Sequence, residues 1–153
     1  MPQALRRSLS VATATALAAS ALVALGGAGV ANAAAYPTIN EFSFDTTSTP
    51  DLEFFEIHAA PSTPLDGYTL LGVEGDSNGV GVLDNRIDLS GEMTDANGLY
   101  ARTVAANTFE NGALSLLLVT GTPPAAGTDL DTNDDGVLDS GLGFTVVDSI
   151  AVT

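Results

Sequence analysis

The sequence predicts an all-β chain built as a two-sheet sandwich, and three observations carry that prediction. Short runs rich in Val, Ile, Leu, Thr and Phe recur between clusters of Gly, Pro, Asp and Asn. Beyond residue 33 no segment sustains an apolar period of 3.6 residues, so helices are not expected. Cysteine is absent, which leaves packing and backbone pairing to hold the fold. About seven strands in a domain of this size point to an immunoglobulin-like β-sandwich.

The first 33 residues read as a secretory signal peptide. Arg6 and Arg7 form a basic start, Val11 to Val30 is rich in Ala, Leu and Val, and Ala31-Asn32-Ala33 offers a small-x-small cleavage site. The arginine pair is compatible with both general and twin-arginine export, and general export is the expectation. Cleavage leaves a domain over residues 34–153, about 120 residues, which is large enough to bury a core unaided. The expected location is extracellular, with no membrane anchor after cleavage.

Along that domain the expected strands are Thr38–Phe44, Leu52–Ala59, Tyr68–Glu74, Gly81–Leu89, Leu99–Val104, Leu114–Thr120 and Thr145–Val152. Leu114–Thr120 is almost continuously apolar, as for a central strand covered on both faces; its shortness and flanking Gly112 and Gly121 argue against a buried helix. Asp95-Ala96-Asn97-Gly98 reads as a turn. Phe42, Phe44, Phe54, Phe55, Phe109, Phe144 and Tyr68 are expected in the core or at its edge.

The connection from Gly121 to Phe144 is long for a compact domain, and long connections carry function more often than short ones. It contains Asp131-Thr132-Asn133-Asp134-Asp135-Gly136-Val137-Leu138-Asp139. Oxygen side chains fall at loop positions 1, 3, 5 and 9, with glycine at 6, which is the spacing by which a short loop wraps a calcium ion. The expected ligands are Asp131, Asn133, Asp135, the Val137 carbonyl and Asp139, with Asp129 as a further outer oxygen. Leu142 stands where an EF-hand carries a bidentate Glu, and prolines and glycines flank the loop where helices would be needed. Calcium is therefore expected as a loop-ordering ion. A solvated acidic turn is the competing reading.

All 19 acidic residues lie beyond residue 33, against only Arg86 and Arg102, so the domain carries a net charge of −17. Such a surface repels phosphate backbones, which disfavours direct nucleic-acid binding, and attracts divalent cations. Solubility in salty surroundings would draw on the same charge.

Catalytic chemistry finds little footing. His58 is the only histidine; it shares a strand face with Glu56, but no Gly-x-Ser-x-Gly turn or His-Glu-x-x-His helix accompanies it. Glu41, Asp51, Glu53 and Glu56 could gather as paired carboxylates of the glycosidase kind, yet tryptophan is absent. Outward solvation, or for some of them backbone hydrogen bonding, is the expectation. Glu74 and Asp76 form a second, weaker candidate cation pair.

Thr38-Ile39-Asn40-Glu41-Phe42, Glu53-Phe54-Phe55-Glu56-Ile57 and Leu65-Asp66-Gly67-Tyr68-Thr69-Leu70 occur in that order. The progression resembles bacterial lamin-tail-like domains. Glu74-Gly75-Asp76, Asp95-Ala96-Asn97-Gly98, Glu110-Asn111-Gly112 and the stretch 129–139 are similar to a secreted branch of that group. His58-Ala59-Ala60 departs from it, replacing a polar ending. The resemblance implies an immunoglobulin-like sandwich acting as a non-catalytic binding or adhesion module, with an extracellular protein or polysaccharide as partner. The alternative it leaves is an accessory fragment of, or a small, metal-dependent secreted hydrolase of nuclease or phosphoesterase type.

Overall fold

A computed structural model describes residues 36–44, 53–76, 79–109 and 111–153. The signal peptide expected over residues 1–33 lies outside them, as do Asp51 and Glu110. The described residues form seven strands and no helix: β1 Thr38–Ser43, β2 Glu53–His58, β3 Tyr68–Glu74, β4 Leu83–Asp88, β5 Leu99–Val104, β6 Leu114–Gly121 and β7 Phe144–Val152. Every predicted strand is present. The largest boundary difference is at β4, which starts at Leu83 rather than Gly81. Gly81 takes φ +83° in the tight β3–β4 turn, so the chain is still turning there.

Two antiparallel sheets result, with strand orders β1-β2-β5 and β4-β3-β6-β7. The chain crosses between sheets after β2, after β4 and after β5, while β3–β4 and β6–β7 are neighbours in one sheet. Alternation in β2 sends Phe55 and Ile57 inward, fully buried, and leaves Phe54, Glu56 and His58 half-buried on the outer face. From the opposite sheet Leu70 of β3 and Leu114, Leu116 and Leu118 of β6 meet them. Phe109 closes the end of this core, its ring edge-on to Phe55 at 6.5 Å. Phe42, Phe44 and Tyr68 pack at its margin.

The four-stranded sheet is apolar on its other face as well. Leu71 and Val73 of β3, Leu83 of β4, and Leu117 and Val119 of β6 form a second buried cluster with Leu130 of the long connection. Strand β6 is thus covered on both sides, as its nearly continuous apolar run predicts.

Polar contacts fix the strands' relative placement. A bulge at Asn40 interrupts the β1–β2 register, and another at Val147 interrupts β6–β7. Just past the second, the Asp148 carboxylate accepts the Ile39 N–H at 2.8 Å, tying the edge of one sheet to the edge of the other. At one end of the sandwich the buried Thr94 hydroxyl donates to the Ala60 carbonyl and accepts the Thr63 N–H, joining the β2–β3 and β4–β5 connections.

Candidate functional site

Residues 122–143, between β6 and β7, make a strap over the outer face of the four-stranded sheet. Its neck is pinched shut where Thr122 N–H donates to the Gly143 carbonyl at 2.8 Å. Gly121 and Gly143 take φ of +106° and +82°, and a Cβ on either would lie within 2.6–2.7 Å of backbone oxygen across the neck. Only glycine fits both the angle and the approach. From the neck the strap runs antiparallel along the start of β4. Leu83 N–H donates to the Thr128 carbonyl, Gly127 N–H to the Leu83 carbonyl and Leu130 N–H to the Gly81 carbonyl. That pairing covers an otherwise open sheet edge. Leu130 is then driven into the second apolar cluster, with Leu138 and Leu142 against its margin.

The acidic loop sits at the strap's far turn. Asp131 is only 4% exposed, and its two carboxylate oxygens accept the N–H groups of Asp135 (3.1 Å) and Gly136 (2.7 Å). Asp129 Oδ1 accepts Asp131 N–H, and Asp135 Oδ1 accepts Val137 N–H. Asp139 Oδ2 accepts both the N–H and the hydroxyl of Thr132, while Asn133 Nδ2 donates to Asp135 Oδ2 at 2.9 Å. Asp134 and Gly136 take φ of +54° and +81°, a sequence of left-handed residues that Asp and Gly tolerate best. Four of the expected side-chain ligands, Asp131, Asn133, Asp135 and Asp139, therefore share one hydrogen-bonded turn. The Val137 side chain points to solvent.

The carboxylates in this turn face the loop's own N–H groups. Among the described residues no three His, Cys, Asp or Glu side chains gather as a metal-binding cluster. The donor chemistry nevertheless suits a hard cation. Every side chain offered is an oxygen donor, and each carboxylate keeps lone pairs beyond those its N–H partners occupy. Beneath the turn, between strap and sheet, lies a cavity of about 250 Å³ walled by Val73, Val80, Leu117 and Leu138, with Glu74 and Asp131 supplying its acidic groups. Gly81 lies against this turn, where a Cβ would meet the Asp131 Cβ at 3.0 Å.

The other candidate residues scatter. Glu74 Oε1 accepts the Asp76 N–H, and Asp76 Oδ1 accepts the Ala113 N–H, so this pair braces the β3–β4 turn against the approach to β6. Glu41 and Glu56 are opposite each other in the β1–β2 register, with Asn40 donating to Glu56 at 2.6 Å. Glu53 does not join them. It points inward, 5% exposed, and its two oxygens accept the N–H groups of Asn107 and Phe109, each at 2.7 Å. Of the two roles expected for these acids, outward solvation or backbone hydrogen bonding, Glu53 takes the second, and its shared parity with Phe55 and Ile57 places it on the buried face. His58 shares the outer face of β2 with Glu56, as alternation predicts, flanked by Thr38 on β1 and Leu99 on β5.

Asp95 forms the predicted turn, accepting the N–H groups of Asn97 and Leu99. Those bonds, the Leu99 one foremost, hold its carboxyl below the usual aspartate value of 3.8. Asp88 is lowered likewise, chiefly by the Ser90 hydroxyl. Burial raises the Tyr100 phenol, helped by nearby Glu92.

A second hollow, about 370 Å³, opens at the start of β7 between Tyr36, Tyr68, Thr120, Thr145, Val146 and Val147. Tyr36 is 65% exposed there. No protein-family model, curated protein or solved structure significantly matches this chain.

Proposed function

We propose that this chain is a secreted, non-catalytic binding or adhesion module of the lamin-tail-like, immunoglobulin-like type, stabilised by calcium. The observation that carries the reading is the strap turn. A nearly buried aspartate organises an all-oxygen loop with the 1, 3, 5, 9 spacing and a left-handed glycine at position 6. Asp131, Asn133, Asp135, the Val137 carbonyl and Asp139 would hold the ion, with Asp129 outside them. The ion would supply charge neutralisation and a fixed loop shape, a structural role rather than a reactive one.

The immunoglobulin-like label draws support from the strand order β1-β2-β5 facing β4-β3-β6-β7, seven strands with crossings between the sheets. The constant-type arrangement keeps the fourth strand beside the first three of its sheet; here it sits at the edge of the other sheet. Secretion and a domain over 34–153 rest on the signal-like start: Arg6-Arg7, the apolar run Val11 to Val30 and Ala31-Asn32-Ala33. Tryptophan, the usual sugar platform, is absent, and His58, the only histidine, stands in no catalytic sequence motif, so binding through surfaces is favoured over hydrolysis. The partner class is an extracellular protein or polysaccharide; a net charge of −17 disfavours nucleic acid.

The test is thermal unfolding in chelator and in calcium. Extracellular modules bind calcium with dissociation constants of about 10⁻⁴–10⁻³ M. Calcium at roughly tenfold above that constant should raise the melting temperature by about 4–6 °C for a domain of this size. Identical melting in chelator and in millimolar calcium would sink the proposal.

A further inference from the structure

The hollow at the start of β7 is built by a row of cross-strand neighbours and a break in strand alternation. Tyr68, Thr120 and Thr145 stand opposite one another across β3, β6 and β7. They share the face that looks toward the other sheet, where Tyr68 packs at the margin of the inter-sheet core. In a regular strand successive side chains take opposite faces, yet Thr145, Val146 and Val147 all line this hollow. The bulge at Val147 bends the strand there and breaks the alternation. Tyr36 supplies the remaining wall from just ahead of β1. Its neighbour Pro37 is buried and restricts the residue before it to extended backbone, while the Tyr36 ring stays 65% exposed.

We infer that this hollow is a binding site for a neutral sugar residue of a glycan chain, with Tyr36 as the ring it stacks on and Thr145 as a hydrogen-bonding group. This rests on the binding-module reading above and names its ligand; calcium has no part in it. Four of the six lining residues carry hydroxyls, two of those are aromatic, the other two are valines, and none is charged. Among the described residues none of the four hydroxyls is taken up by a hydrogen bond within the protein, and none is buried without a partner. A sugar ring offers the complement: hydroxyls at its rim, apolar C–H groups on its faces and no charge. Tyrosine presents a flat apolar body with a polar tip to such a ring. At about 370 Å³ the hollow is at the small end of ligand pockets, about 300–1,000 Å³, so it suits a short stretch of glycan. Charge narrows the class further. A domain of net charge −17 repels uronic and sulfated sugars, and a cationic side chain would find no carboxylate in the wall to pair with.

Three tyrosines and no tryptophan make tyrosine fluorescence a direct reporter. Titration of the full chain with neutral oligosaccharides of glucose, mannose, galactose and N-acetylglucosamine should give a saturable change with at least one of them, the same in chelator as in calcium. An oligogalacturonide and a lysine-rich peptide are the charged controls. Calorimetry with the sugar that binds then reads the variants. Tyr36→Ala should weaken binding about tenfold, the factor one aromatic contact supplies, and Tyr36→Phe should keep most of the affinity. Thr145→Val, close in shape but without the hydroxyl, should weaken it about threefold or more. Both positions are exposed, and an unchanged melting temperature confirms that each variant is folded. No saturable binding of any neutral oligosaccharide at about 10 mM, tenfold above a millimolar dissociation constant, would overturn the inference. Sugar binding with unaltered affinity in both Tyr36→Ala and Thr145→Val would overturn the assignment to this hollow. Binding of the lysine-rich peptide alone, lost in Tyr36→Ala, would overturn the sugar and leave the binding-module reading standing. Identical melting in chelator and in calcium would remove the calcium reading and leave the sugar site untouched.

Discussion

Glu53 shows how a single residue changes meaning between sequence and structure. As a letter it belongs to an acidic surface; in the fold it is a buried anion whose two oxygens hold the Asn107 and Phe109 N–H groups and so shape the β5–β6 connection. Removing it leaves the buried Phe109 N–H and the part-buried Asn107 N–H without their acceptor, the buried donor alone costing about 1–3 kcal/mol. Glu53→Ala should therefore lower unfolding free energy in urea by about 2–4 kcal/mol, and Glu53→Gln by less, since one oxygen remains to accept. A loss below about 0.5 kcal/mol, the range of ordinary surface substitutions, would contradict this. Asp131 is the counterpart in the strap. Its position and spacing were legible, because acidic residues at alternate loop positions point one way. Its use as a backbone acceptor was not, since the same oxygens serve an ion or an N–H equally well.

At the scale of elements, all seven strands were legible because turn residues punctuate them: Asp66-Gly67, Asn97-Gly98 and Gly121 each fall at a strand's edge. The pairing was less so. Nothing local in Leu83–Asp88 tells it to join β3 rather than β5; that follows from which faces can be buried together. Likewise Leu130, Leu138 and Leu142 have no regular spacing, so the second cluster stayed hidden although β6 announced that something covers its outer face. A substitution pair tests that covering. Leu116 faces the inter-sheet core and Leu117 the strap, and they are 0% and 8% exposed. Leu116→Ala and Leu117→Ala should each cost about 2–4 kcal/mol, measured by denaturant unfolding. A bare outer face would make the second change nearly neutral.

For the whole molecule the dominant fact is charge. Nineteen carboxylates against four arginines give an isoelectric point near 4.1, so neutral pH sets the domain against itself. Falling pH relieves that repulsion but also protonates carboxylates that the fold uses. Asp88 and Asp95 titrate below 3.8 in the folded state. Their contribution is present above that value and is lost as pH falls through the lowered ones. A double variant, Asp88→Asn with Asp95→Asn, should melt below wild type at pH 6, and the gap should narrow as pH falls below 3.8. Thermal melts across that range decide it; a gap that persists at low pH would show that charge is not the cause. The calcium proposed for the strap would act on the same balance, lowering repulsion where carboxylates are densest.

The pinched neck also bears on how this chain could be altered. Gly121 and Gly143 bring the two ends of a 22-residue excursion to hydrogen-bonding distance, so β6 and β7 are geometrically a hairpin from which the strap hangs. Excising residues 123–142 and joining the ends through a two-residue turn would spare loop-closure entropy but remove the strap's side of the second apolar cluster and its bonds to the start of β4. The penalty would fall on stability and on solubility together, because the patch the strap shelters would face water. The same neck is a grafting point, at which a foreign loop can replace the native one provided it brings its own apolar underside.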